Sequence, residues 1–131
     1  MSDDSQPGIL RLDVQRLPTG GVVVSAAGEI DISTAPQLQA TLLQVADAPA
    51  ADGPAVLDLS EVSFLDSTVL GALNVARQYS WDRGLAWRLC GLQPMVRRVF
   101  ELTGVVQVFA VYSDIAAAVA DDHPKQPAGQ G

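Results

Sequence analysis

The sequence predicts an α/β fold, a mixed sheet with an antiparallel first hairpin, a parallel centre and about four covering helices. Three observations predict it. Two strand-like runs, Ile9 to Arg16 and Val22 to Ala27, flank the turn signal Pro18-Thr-Gly-Gly21. Beyond them, short apolar runs alternate with segments whose apolar residues recur every three or four positions. The chain has 131 residues, 48% hydrophobic and 18% charged, a composition that fits one domain around one core.

The elements follow in order. Residues 1–8 are polar and expected to be a flexible N-terminus, and the domain is expected to span 9–120. After the hairpin, Gly28-Glu-Ile-Asp31 leaves the second strand. Ser33 or Thr34 is expected to cap a helix that tolerates Pro36 in its first turn, with Leu38, Leu42 and Val45 on its apolar side. Ala48 to Pro54 reads as a linker, and Ala55 to Leu59 as a buried strand followed by a connector, Ser60 to Leu65. A second helix starts near Ser67 and stops near Arg83-Gly84, glycine being a common helix terminator. Leu85 to Cys90 reads as a strand and Pro94 to Leu102 as a helix buried through Val96, Val99 and Phe100. Val105 to Val111 reads as a short edge strand, and Ser113 as the cap of a last helix from Asp114 to about Ala120. Residues 121–131 are polar, rich in Pro and Gly, and expected to be a flexible tail.

Asp66-Ser67-Thr68 falls where a buried strand gives way to a helix. A hydroxyl in the first helical turn lies beside unpaired N–H groups and the positive end of the helix dipole, where a phosphate gains hydrogen bonds and a favourable field. Asp66 and Ser67 are also ordinary capping residues, and local sequence leaves both readings open. In sheets of this kind, ligands and partners meet the carboxyl ends of the parallel strands. Asp31, Asp58, Asp66 and Ser67 are all expected at such ends, converging on one edge of the fold.

Charge and composition exclude several classes. The formal net charge is −7, which disfavours nucleic acid or an anionic membrane surface as partner. No stretch approaches the ~18–20 apolar residues of a membrane span, and the N-terminus lacks the pattern of a signal peptide. A cytoplasmic location is expected. Cys90 is the only cysteine, so no internal disulfide forms, and it reads as a small buried side chain. The only histidine is His123 in the tail, which leaves Ser67 without a base for hydrolysis. No nucleophile elbow, P-loop, dinucleotide fingerprint or metal-ligand spacing occurs. The Asp-Ser pair of acyl carriers belongs to helical bundles, which the flanking strands exclude. Catalysis, a cofactor and a metal are not expected. Arg97-Arg98 reads as a solvated helix face, and Trp81 and Trp87 as packing residues.

Taken together, Gly28-Glu-Ile-Asp31, Val56-Leu-Asp-Leu-Ser60, Val62-Ser-Phe-Leu-Asp-Ser-Thr68, Val99-Phe-Glu-Leu-Thr-Gly104 and Phe109 to Asp114 resemble the STAS domain. This module is shared by bacterial anti-sigma factor antagonists and the cytoplasmic parts of sulfate transporters. The resemblance spans roughly residues 9 to 120 in the family's order and implies a STAS-like sheet. It also implies a partner switch. An unmodified antagonist binds an anti-sigma factor that is a serine kinase, the kinase phosphorylates the serine after the aspartate, and a serine phosphatase restores it. Ser67 matches that serine, with Asp31, Asp58, Asp66, Thr68 and Val69 as neighbours of the phosphosite or of the partner. The family usually carries glycine where Val69 stands. Val69 is expected either to restrict the approach of a kinase or to strengthen the helix start. The alternative from the same resemblance is a STAS scaffold without a phosphorylation cycle, as a subunit of a signalling or membrane-transport assembly.

Overall fold

The computed structural model describes residues 9–18, 20–48 and 53–121. The segments expected to be flexible at 1–8 and 122–131, His123 and most of the 48–54 linker lie outside the described residues. The element order is β1 (Leu10–Arg16), β2 (Val22–Ile30), α1 (Ala35–Asp47), β3 (Ala55–Leu65), α2 (Thr68–Trp81), β4 (Trp87–Cys90), α3 (Pro94–Thr103), a 3-10 turn (Val105–Gln107), β5 (Ala110–Tyr112) and α4 (Ile115–Ala120). The strands lie in sequence order across one sheet. β1 runs antiparallel to β2, and the remaining pairs are parallel. The predicted architecture is the observed one.

The core divides by face. Leu38 and Leu42 of α1, Leu73 and Ala76 of α2, and Val96 and Phe100 of α3 join one cluster with Val24, Leu57, Leu59 and Leu89 of the sheet. Trp87 belongs to it and donates its indole N–H to the buried Ser80 hydroxyl at 2.8 Å, so this tryptophan is a packing residue. On the opposite face, Val23, Val56 and Cys90 form a smaller cluster under Ala118 of α4.

Four local expectations are corrected. β2 does not end at Ala27 but continues through Gly28 to Ile30. Gly28 is held at φ +119°, and a Cβ there would lie 2.3 Å from the Ile9 carbonyl oxygen. Only glycine fits a left-handed backbone so close to a neighbouring strand. Gly28→Ala is expected to lower stability by about 2 kcal/mol or more, read from urea unfolding midpoints. A variant as stable as wild type would show that β1 relaxes to admit the methyl group.

β3 is the second correction, since the expected connector Ser60–Leu65 is strand. β3 has 11 residues against 9 in β2, and the pairing slips twice, between Ser25 and Ala27 and between Gly28 and Glu29. Each slip is a bulge that leaves one β3 residue without a partner. The buried positions therefore step from Ala55, Leu57 and Leu59 to Val62 and Leu65. A spacing of three hides a strand from any search for alternation.

The third concerns Val105–Val111. Gly104 adopts a left-handed conformation, and Gln107 and Val108 donate back three residues to Gly104 and Val105. The β-branched run is thereby wound into a turn before β5. Finally, α4 is capped by Asp114, whose carboxylate accepts the Ala117 N–H at 2.9 Å, and not by Ser113.

Candidate functional site

The site forms where β2 and β3 finish together. Ile30 pairs with Leu65, and the Asp66 N–H donates to the Ile30 carbonyl at 3.2 Å. This bond sets the chain leaving β3 beside the chain leaving β2. Each strand exit then closes on its own aspartate.

Asp31 organises the first exit. Its Oδ1 accepts the Ser33 N–H at 2.9 Å, the Ser33 hydroxyl at 2.7 Å and the Thr34 N–H at 3.2 Å. Thr34 Oγ1 accepts the Asp31 N–H and donates to the Glu29 carbonyl. Contrary to the expectation from sequence, neither Ser33 nor Thr34 caps α1 through its own side chain; the carboxylate of Asp31 satisfies the turn that leads into the helix. The Ser33 hydroxyl, aided by the two backbone N–H groups, holds Asp31 below the usual carboxylate range against an opposing effect of burial. A lowered carboxyl stabilises the fold above its unfolded-state pKa, and that contribution fades as pH falls through the lowered value. The turn is thus fully charged at neutral pH.

Asp66 organises the second exit. Its Oδ1 accepts the Thr68 N–H at 3.0 Å and also the Thr68 hydroxyl. The Thr68 hydroxyl is committed by this bond. Ser67 stands at the cap position of α2, exposed, and its side chain makes no capping hydrogen bond. Of the two adjacent hydroxyls, only that of Ser67 is left for a ligand or an enzyme.

Val69 points the other way. It is fully buried in the main core cluster, so its methyl groups do not crowd the surface around Ser67. The expectation that it restricts approach to the serine is not met by the geometry. In the first turn of an α-helix, the residue two positions on faces roughly the opposite side, about 200° round.

Asp58 is not brought to this site, contrary to the expected convergence. β3 runs on past it, leaving it eight residues before Asp66, a separation of roughly 25 Å in extended chain. It lies level with Ser25 and Cys90, and its Oδ1 accepts the Ser60 N–H at 3.0 Å and faces the Cys90 thiol at 3.8 Å. Its surroundings are a separate groove with Arg11, Asp13, Ser25 and Glu61. Burial first, and then Asp58, push the Cys90 thiol up to about 12, so it is inert where it sits.

One residue that belongs to the site escaped sequence reasoning. Ile32, between Asp31 and Ser33, is 75% exposed and stands over a groove of about 390 Å³ between α1 and α2. Pro36, Ala40 and Leu43 line one wall, and Thr68 and Ala72 the other. The available signal was an isoleucine inside a polar capping turn, out of phase with the apolar face of α1. Among the described residues, no group of three or more His, Cys, Asp or Glu side chains is placed to hold a metal. None of the described helices is long and apolar enough to cross a membrane.

Fold and site together define a five-stranded α/β module whose strand exits present two capping aspartates, a free serine hydroxyl and an apolar groove. The STAS domain family matches residues 11–118, and the chain belongs to it. It is 31% identical over 104 residues to the anti-sigma-B factor antagonist of Listeria monocytogenes, covering 78% of this chain and 88% of that one. The Bacillus subtilis protein of the same name is 30% identical over 90 residues, covering 69% and 80%. The crystal structure of an anti-sigma factor antagonist from Mycobacterium paratuberculosis superposes with a TM-score of 0.73 at 32% identity, covering 89% of this chain and 99% of that chain.

Proposed function

We propose that this chain is an anti-sigma factor antagonist controlled by phosphorylation of Ser67. In this reading it binds an anti-sigma factor with serine kinase activity through the surface around Ser67 and the α1–α2 groove, and so frees the sigma factor. Transfer of phosphate to Ser67 ends the complex, and a serine phosphatase restores it. The relatives named above support the antagonist class.

The observation that carries the switch is the division of labour at the start of α2. Asp66 engages both polar groups of Thr68 and leaves the neighbouring Ser67 hydroxyl exposed and uncapped. A phosphate on that oxygen brings about −1.5 to −2 charges to a rim that already carries Asp31 and Asp66. The positive end of the α2 dipole favours the phosphate on this protein, while a partner packed there meets added bulk and charge. The fold is kept and the complex is lost.

The test is incubation with a cognate anti-sigma kinase and ATP, followed by intact-mass measurement and peptide mapping. One phosphate, on Ser67, is expected, and Ser67→Ala should accept none. Mapping to Thr68, Ser33 or Ser63, or stoichiometric labelling of Ser67→Ala, would remove the assignment.

A further inference from the structure

α4 is held to the sheet by fewer buried side chains than any other helix. Of its six residues only Ala118 is fully buried, against four buried residues in α1, five in α2 and two in α3. Beneath it lies Arg88, only 3% exposed. One Nη of Arg88 donates to the Ala118 carbonyl, while the buried Nε–H has no hydrogen-bond partner. A guanidinium keeps its charge at any physiological pH, and a buried donor without an acceptor destabilises the arrangement that buries it. Opposing this, the Tyr112 hydroxyl donates to Asp121 and ties the strand before α4 to the residue after it.

We propose that α4 is a strap that lifts from the sheet while the rest of the fold stays intact, driven by hydration of Arg88 and restrained by the Tyr112–Asp121 bond. Lifting gives up the Arg88–Ala118 hydrogen bond, the contacts of Ala118 and the flanking packing of Ile115 and Val119, with water replacing the lost partner on both groups. It returns the Arg88 guanidinium to water and uncovers the apolar strip Val23, Val56 and Cys90 on β2, β3 and β4. Elements with few buried contacts open at the low end of the free-energy range, below global unfolding. The main cluster between the sheet and α1, α2 and α3 is on the other face and is not disturbed.

Cys90, the only thiol in the chain, reports the motion directly because it is fully buried in the closed form. The rate of iodoacetamide alkylation of the full chain is followed by intact mass, at urea concentrations that leave Trp fluorescence unchanged. The expected rate is independent of urea over that range, the mark of a small local opening. Arg88→Met, which fills similar space without a donor to hydrate, is expected to slow alkylation by about tenfold. Tyr112→Phe is expected to speed it severalfold. A rate that climbs with urea as steeply as global unfolding overturns the proposal, as does an Arg88→Met protein labelled as fast as wild type. If Arg88→Met does not fold, Tyr112→Phe decides alone, and an unchanged rate there overturns the latch.

Discussion

Ser67→Asp is expected to weaken the complex with an anti-sigma kinase by about thirtyfold, roughly 2 kcal/mol, while Ser67→Ala binds as tightly as wild type. The asymmetry follows from where the two variants act. Alanine removes a hydroxyl that makes no capping bond, so neither the helix start nor a packed partner loses a contact of consequence. Aspartate places a second carboxylate next to that of Asp66, whose Oδ1 is already engaged by Thr68. A partner seated over that rim would have to bury two like charges without counter-ions, which is costly at the centre of an interface. Phosphate carries more charge than aspartate, and the phosphorylated protein should bind more weakly still. Titration calorimetry of the three forms against one kinase preparation is the direct measurement. Equal affinities for wild type and Ser67→Asp would move the start of α2 out of the interface.

Val69→Gly is expected to lower stability by about 3 kcal/mol, the sum of a buried side chain removed and glycine placed inside a helix. On the melting temperature this is roughly 10 °C or more for a domain of this size. The rate at which a kinase modifies Ser67 should be unchanged below the transition, because the Val69 side chain is buried beneath the site and not displayed beside it. Thermal unfolding and phosphorylation of the same purified variant separate the two effects. Faster modification with little loss of stability would mean that Val69 does crowd the serine, against its burial. Val69 is therefore a matter of core packing, and the surface around Ser67 keeps its shape whichever residue fills that position.

Most of the architecture was legible because it rests on coarse signals. A hairpin turn between two apolar runs, and strand-length segments alternating with helical ones, fix the order of elements and the sense of each strand. The junction at Asp66-Ser67-Thr68 was legible for the same reason, as a capping sequence after a buried run. What escaped depended on counting residues. β3 loses its alternation at two bulges, and so its second half read as a connector. Asp58 was drawn towards the site only because the strand had been ended too early. Ile32 was missed because its role comes from a groove between two helices, which no local pattern records. The direction of Val69 needed the start of α2 to within one residue, since a shift of one position turns a helical side chain by 100°.

The two bulges also make the placement of Ser67 a matter of arithmetic. β3 spends 11 residues to travel beside the 9 of β2, and its two bulges absorb the surplus so that both strands finish level, Leu65 beside Ile30. Deleting Ser60 or Ser63 would remove a surplus bulge residue and not a paired one, so Leu65 would keep its place beside Ile30 while the strand lost a bend. Val62 and Leu65 would stay on the buried face, and loss of Ser63 would set them two positions apart in the regular alternation. A bulge is thus a reserve of chain length: β3 can lose a residue in mid-strand and still deliver its end, with Ser67, beside the exit of β2.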